Sequence, residues 1–109
     1  MKLNMANPTT ITWTPPVANT NNSPILTGEI TGYTVGIRDV NAAGSVAGTY
    51  TTSFPASATA TSALIPALAP GSYAAAVQAD TVNSMSAWSA ETLFSVVLVP
   101  NPPTNVALA

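Results

Sequence analysis

Six residues carry formal charge: Lys2, Glu29, Arg38, Asp39, Asp80 and Glu91. Histidine and cysteine are absent. That removes the usual general base near neutral pH, the commonest metal ligand and the thiolate nucleophile. Any catalysis would rest on carboxylates, Lys2 or hydroxyls, and the carboxylates are dispersed. Glu29 and Asp39 flank one expected strand, about 30 Å apart if extended, which is too far for carboxylates acting as a pair. Serine and threonine abound, but no base stands ready to activate one. The sequence therefore points away from an enzyme, and no cofactor or metal is expected. Arg38-Asp39 reads as an adjacent charge pair in a solvated turn, with an interaction hot spot as the rival reading. Asp80 is expected to cap the loop that follows it.

The Asn-rich loop Ala18 to Pro24, with Glu29 nearby, offers oxygen ligands of the kind calcium takes, but lacks a repeated acidic spacing. Asn21-Asn22-Ser23 fits the glycosylation pattern, and Pro24 directly after it argues against use. Two basic residues are too few to neutralise a run of phosphates or to form a polybasic membrane patch. No nucleic acid is expected as a partner. No apolar run has transmembrane length, so no membrane insertion is expected either. The start, Met1 to Pro8, lacks the apolar stretch of a signal peptide. The expected location is a virion or an extracellular setting.

The elements that would position these residues are short. The chain has 109 residues, 47% of them hydrophobic, with ten prolines and six glycines. This length suits one core. Runs of Thr, Val, Ile, Tyr and Ala lie between the breakers, and no sustained 3.6-residue period appears, so the class is all-β. Alanine-rich stretches 56–63 and 67–79 have helical composition but are broken by Pro55, Pro66, Pro70 and Gly71. Thr9 to Thr14 alternates, with Ile11 and Trp13 on the apolar face. Ile30 to Arg38 places Tyr33, Val35 and Ile37 on one face. Residues 41–45 form a turn, Val46 to Phe54 a weaker edge strand closed by Pro55, and Thr59 to Ile65 a strand with Leu64 toward the core. Tyr73, Ala75, Val77 and Ala79 share a face. Glu91 to Val99 is apolar on both faces, with Leu93, Val97 and Val99 opposite Phe94, Val96 and Leu98. Strands with two apolar faces are covered on both.

In this order the residues resemble a fibronectin type III domain. Ile11-Thr12-Trp13-Thr14-Pro15-Pro16 is similar to the family's second strand with its core tryptophan. Ile30-Thr31-Gly32-Tyr33-Thr34-Val35 is similar to the third strand, whose tyrosine packs on that tryptophan. Leu68-Ala69-Pro70-Gly71-Ser72-Tyr73 resembles the segment leading to the tyrosine corner, and Ser86-Ala87-Trp88-Ser89 the motif before the last strand. The resemblance spans Thr9 to Val99. It implies a seven-stranded antiparallel Greek-key β-sandwich over residues 1–99, with Trp13, Tyr33, Leu68 and Tyr73 in the core. Only twelve residues precede Trp13, so Met1 to Ala6 is expected to form a shortened first strand.

Residues 100–109 form a proline-rich connector and an extra strand or tail. Pro102 to Leu108 resembles the opening strand of such a domain, placed at the wrong end. One reading makes it the start of a further module; another has it cross to a neighbouring copy and supply a strand there; a third has it fold back or hang free. The expected partners are proteins, either copies of this chain or other subunits of a particle. Phe94, Val96, Leu98, Thr104, Val106, Leu108, Trp88 and Tyr50 are the candidate contacts. The low charge fits a virion protein of a phage capsid or tail. The rival use is a spacer or weak glycan-binding module of a secreted bacterial enzyme or adhesin.

Overall fold

The structure is a computed structural model, and it describes residues 7–108. Among these residues six strands form two antiparallel sheets. They are β1 (Thr10–Thr12), β2 (Gly32–Asp39), β3 (Thr52–Ser57), β4 (Ser62–Leu64), β5 (Gly71–Asp80) and β6 (Thr92–Val96). One sheet pairs β1 with β4; the other runs β3-β2-β5-β6. There is no helix among the described residues. The expected shortened first strand, Met1 to Ala6, lies outside them. The expected strand at the tail does not form: residues 97–108 are irregular and lie outside every strand ladder. Pro100, Pro102 and Pro103 lack the N–H groups a ladder requires, and residues 104–108 beyond them pair with no strand of this chain among the described residues.

The core lies between the two sheets. Ile11 of β1 joins Tyr33, Val35 and Ile37 of β2 and Tyr73, Ala75, Val77 and Ala79 of β5. Val35 and Ile37 are fully buried, each contributing about 1.5–3 kcal/mol relative to exposure. Trp13 and Leu68 pack partly buried against this cluster. The Trp13 and Tyr33 ring centroids are 5.3 Å apart. The Tyr73 hydroxyl donates to the Ala69 carbonyl at 2.6 Å, fixing the turn that enters β5.

β5 is buried on both faces and paired along both edges, with β2 and β6. Its alanines favour helix in isolation, but pairing with β2 and β6 overrides that propensity. β3 is an edge strand and runs through Pro55, which was expected to close it. An edge tolerates proline when the missing N–H faces solvent.

Leu64 corrects the expected register of β4. Ile11 pairs with Ala63 and Thr10 with Leu64, and directly paired residues share a face. Ile11 points inward, so Ala63 does as well, with Ile65 on the same side; both pack against the core. Leu64 is turned outward and 76% exposed. A shift of one residue exchanges the two faces of a strand.

Candidate functional site

Two features stand out beyond the core: a polar and aromatic cluster on the outer face of the larger sheet, and an open cleft between the sheets.

The cluster starts from β2. Its inward residues fill the core, so Gly36 and Arg38 face outward. Arg38 Nε donates to Glu91 Oε2 at 2.8 Å, and Nη2 donates to Oε1 at 2.7 Å. Arg38 Nη1 donates to Ser45 Oγ at 2.9 Å. The Tyr50 hydroxyl donates to Glu91 Oε2 at 2.8 Å. The Arg38 and Glu91 side chains are only 13% and 16% exposed. The bidentate bond from Arg38 holds the Glu91 carboxyl below its ordinary value, against the opposing effect of burial. The same bond raises Arg38. Burial first, then the bond to Glu91, raises the Tyr50 phenol. A carboxylate held by three donors has most of its roughly four accepting positions occupied and its basicity lowered.

Trp88 meets Tyr50 edge-on, with centroids 4.6 Å apart. Ser86 and Ser89 place it there. Ser86 N–H donates to the Ala79 carbonyl, and Ala79 N–H donates back to Ser86 Oγ. Ser89 repeats the exchange with Val77. β6 pairs with β5 only as far as Ala75. The two serines therefore continue that edge with side-chain oxygens.

The cleft lies where the sheets part, between β1 and β6. It has a volume of about 250 Å³. Thr10 and Thr12 line one side, Thr92 the other, and Ile11, Ala75 and Phe94 lie between them. Ile65 N–H donates to the Thr9 carbonyl and Trp13 N–H to the Thr61 carbonyl. Backbone groups alternate sides along a strand. The N–H and C=O of Thr10 and Thr12 consequently point away from β4, to the outer edge of β1. Among the described residues no strand pairs with that edge.

At the end of the cleft the Asn7 side chain clasps Val97. Asn7 Nδ2 donates to the Val97 carbonyl and Val97 N–H donates to Asn7 Oδ1, both at 2.9 Å. Beyond this clasp the tail leaves the fold. Leu98, Thr104, Val106 and Leu108 are all exposed, Val106 at 85%.

Several expected contacts lie elsewhere. Phe94 and Val96 pack against the core. Phe94 stacks on Tyr73, its partner in register, with centroids 5.5 Å apart. The outward apolar residue of β6 is Leu93, 73% exposed. Tyr50 and Trp88 are half-buried and occupied with Glu91 and with each other. Arg38 pairs with Glu91 rather than with its neighbour Asp39. Asp39 Oδ1 instead accepts from Asn41 N–H in the turn. Asp80 Oδ2 accepts from Thr34 Oγ1 across the sheet rather than capping its own loop. In the Asn-rich loop, Asn21 Oδ1 accepts from both Ser23 N–H and Ser23 Oγ. Glu29 Oε1 accepts from Leu26 N–H. No cluster of metal-ligating side chains occurs among the described residues.

Sequence reasoning missed the Arg38, Glu91 and Tyr50 cluster. Its members are 41 and 53 positions apart. The available signal was one outward arginine in a chain with few carboxylates to meet it. No protein-family model, curated protein or solved structure matches this chain.

Proposed function

We propose that this chain is a non-catalytic structural and interaction module with a fibronectin type III-like Greek-key sandwich. It binds protein partners through sheet edges and its tail, as a surface or decoration subunit of a particle such as a phage capsid or tail. One juxtaposition carries this reading. Among the described residues, one edge of β1 has no strand paired to it and stands over a largely apolar cleft, and the same chain carries a tail without charged side chains that extends away from the sheets. Unpaired edges recruit strands, and proteins that stay apart blunt them with charge. Here 6% of residues are charged, and Arg38 and Glu91 are engaged with each other.

The polar cluster supports the non-catalytic part. Each of its groups is directed at another member, as in a brace between β2 and the approach to β6. A second reading, a spacer or weak glycan-binding module of a secreted bacterial enzyme or adhesin, draws on the likeness of Pro102 to Leu108 to an opening strand. The solution mass of the full chain across a concentration series, by light scattering after size exclusion, separates the two. Mass rising with concentration supports the particle subunit. A monomer at every concentration supports the spacer.

A further inference from the structure

We propose that the cleft between β1 and β6 is a strand-acceptor site, and that its occupant is residues 104–108 of a second copy of this chain. This deepens the assembly reading above and rests on it.

The acceptor has the two parts strand addition needs. The outward N–H and C=O groups of Thr10 and Thr12 supply main-chain partners along an edge that no described strand pairs. Ile11, Ala75 and Phe94 supply an apolar bed for alternate side chains. The donor has the matching period. Thr104, Val106 and Leu108 share one face of an extended strand, while Asn105 and Ala107 share the other. Val106 and Leu108 are exposed in the isolated chain, and so gain from burial in the cleft. None of the cleft residues and none of residues 104–108 has a charged side chain, so insertion buries no charged side chain and brings no like-charged side chains together. Asn105 sits at φ 57 in the free tail and becomes extended on insertion. Asparagine occupies both regions at modest cost.

Reach and stiffness favour a neighbour's cleft over the chain's own. The clasp of Asn7 on Val97 puts the start of β1 beside the exit of β6. To enter its own cleft, the tail would have to reverse directly after Val97. Pro100, Pro102 and Pro103 stand there instead and hold the segment extended. From Val97 to Leu108 an extended chain covers about 36 Å, comparable with the 33 Å and 26 Å narrow dimensions of the molecule. Each copy would then give one tail and accept another. The contact is head-to-tail, so it builds rings or open filaments.

Two measurements on the full chain test this. The first compares the mass-concentration curve of the wild type with that of a Val106→Asp, Leu108→Asp variant. Both positions are exposed, so the variant keeps its fold, which circular dichroism verifies. The expected result is loss of the concentration-dependent mass. The second uses the absence of native cysteine. A Thr10→Cys chain is mixed under oxidising conditions with an Asn105→Cys or Ala107→Cys chain. The expected product is a disulfide-linked heterodimer, depleted by competition with unlabelled wild type.

If the Asp variant assembles as the wild type does, the tail is not the donor, and the proposal falls while the assembly reading stands. If a chain carrying both cysteines closes only on itself, the tail fills its own cleft and the proposal falls. If the wild type is monomeric at every concentration, the proposal and the self-assembly reading fall together.

Discussion

A Cβ on Gly36 would stand 2.6 Å from Cγ of Tyr50. The ring of Tyr50 thus occupies the space that any other residue at position 36 would claim. Gly36 pairs with Ala76 across the sheet, so position 36 lies inside the larger sheet, where only glycine leaves room for the ring. That close approach lets the Tyr50 hydroxyl reach Glu91.

Gly36→Ala should destabilise the fold by about 1–3 kcal/mol through overpacking. It should also uncouple Tyr50 from Glu91. Chemical denaturation reads the first effect, and the alkaline titration of tyrosine absorbance reads the second. An unchanged midpoint would mean that the ring is not seated on Gly36.

Acid should weaken the fold through Glu91. Its carboxyl is held below the ordinary value of 4.5, so the unfolded chain takes up a proton first as pH falls. The contribution of the pair is full above about 4.5 and is lost as pH drops through the lower folded value. Tyr50 acts at the other extreme. Its phenol is raised above 10.0, so its contribution is present below that value and is lost as pH rises through the folded one. Glu91→Gln should lower Tm at neutral pH and flatten the acid limb. An acid limb of wild-type steepness in this variant would place the linkage on another group.

Ser86→Ala and Ser89→Ala each leave a β5 N–H without its side-chain acceptor. Each should cost about 1–3 kcal/mol. Amide hydrogen exchange should speed at Ala79 in the first variant and at Val77 in the second. Loss of stability without that local pattern would count against the serines as edge acceptors.

The register of β4 gives a paired test. Leu64→Thr should change stability by no more than about 0.5 kcal/mol, as for surface substitutions generally. Ile37→Ala in the core should cost about 2–5 kcal/mol. A large effect at Leu64 would restore the register in which it faces inward.

The alternation of Tyr33, Val35 and Ile37, and of Tyr73, Ala75, Val77 and Ala79, was readable because β2 and β5 are long enough to repeat a period several times. β4 has only three residues. With Ala63, Leu64 and Ile65 in succession, hydrophobicity alone favours neither face, and the pairing with β1 decides. β6 poses the same ambiguity. Phe94 was open to either role until its register with Tyr73 turned it inward. Pro55 looked like a strand end because its effect depends on whether a neighbour lies on that side, which only the sheet order shows. The brace around Glu91 was illegible for a different reason: Arg38, Tyr50 and Glu91 come from three segments with no shared local pattern. The cleft was half legible. The strand-like tail was visible, but the bed of Ile11, Ala75 and Phe94 required the two sheets to be placed.

The clasp of Asn7 on Val97 has a mechanical meaning. Its two bonds lie side by side between one amide group and one residue, so a pull that separates the chain's entry from its exit loads both at once and breaks them together. After that, the same pull peels β1 and β6 from their sheets one rung at a time, the weak direction for a ladder of hydrogen bonds. A load applied along β1 at its outer edge would instead strain every rung simultaneously. The sandwich is therefore anisotropic: soft when opened from its clasped pole, stiff when sheared along its length.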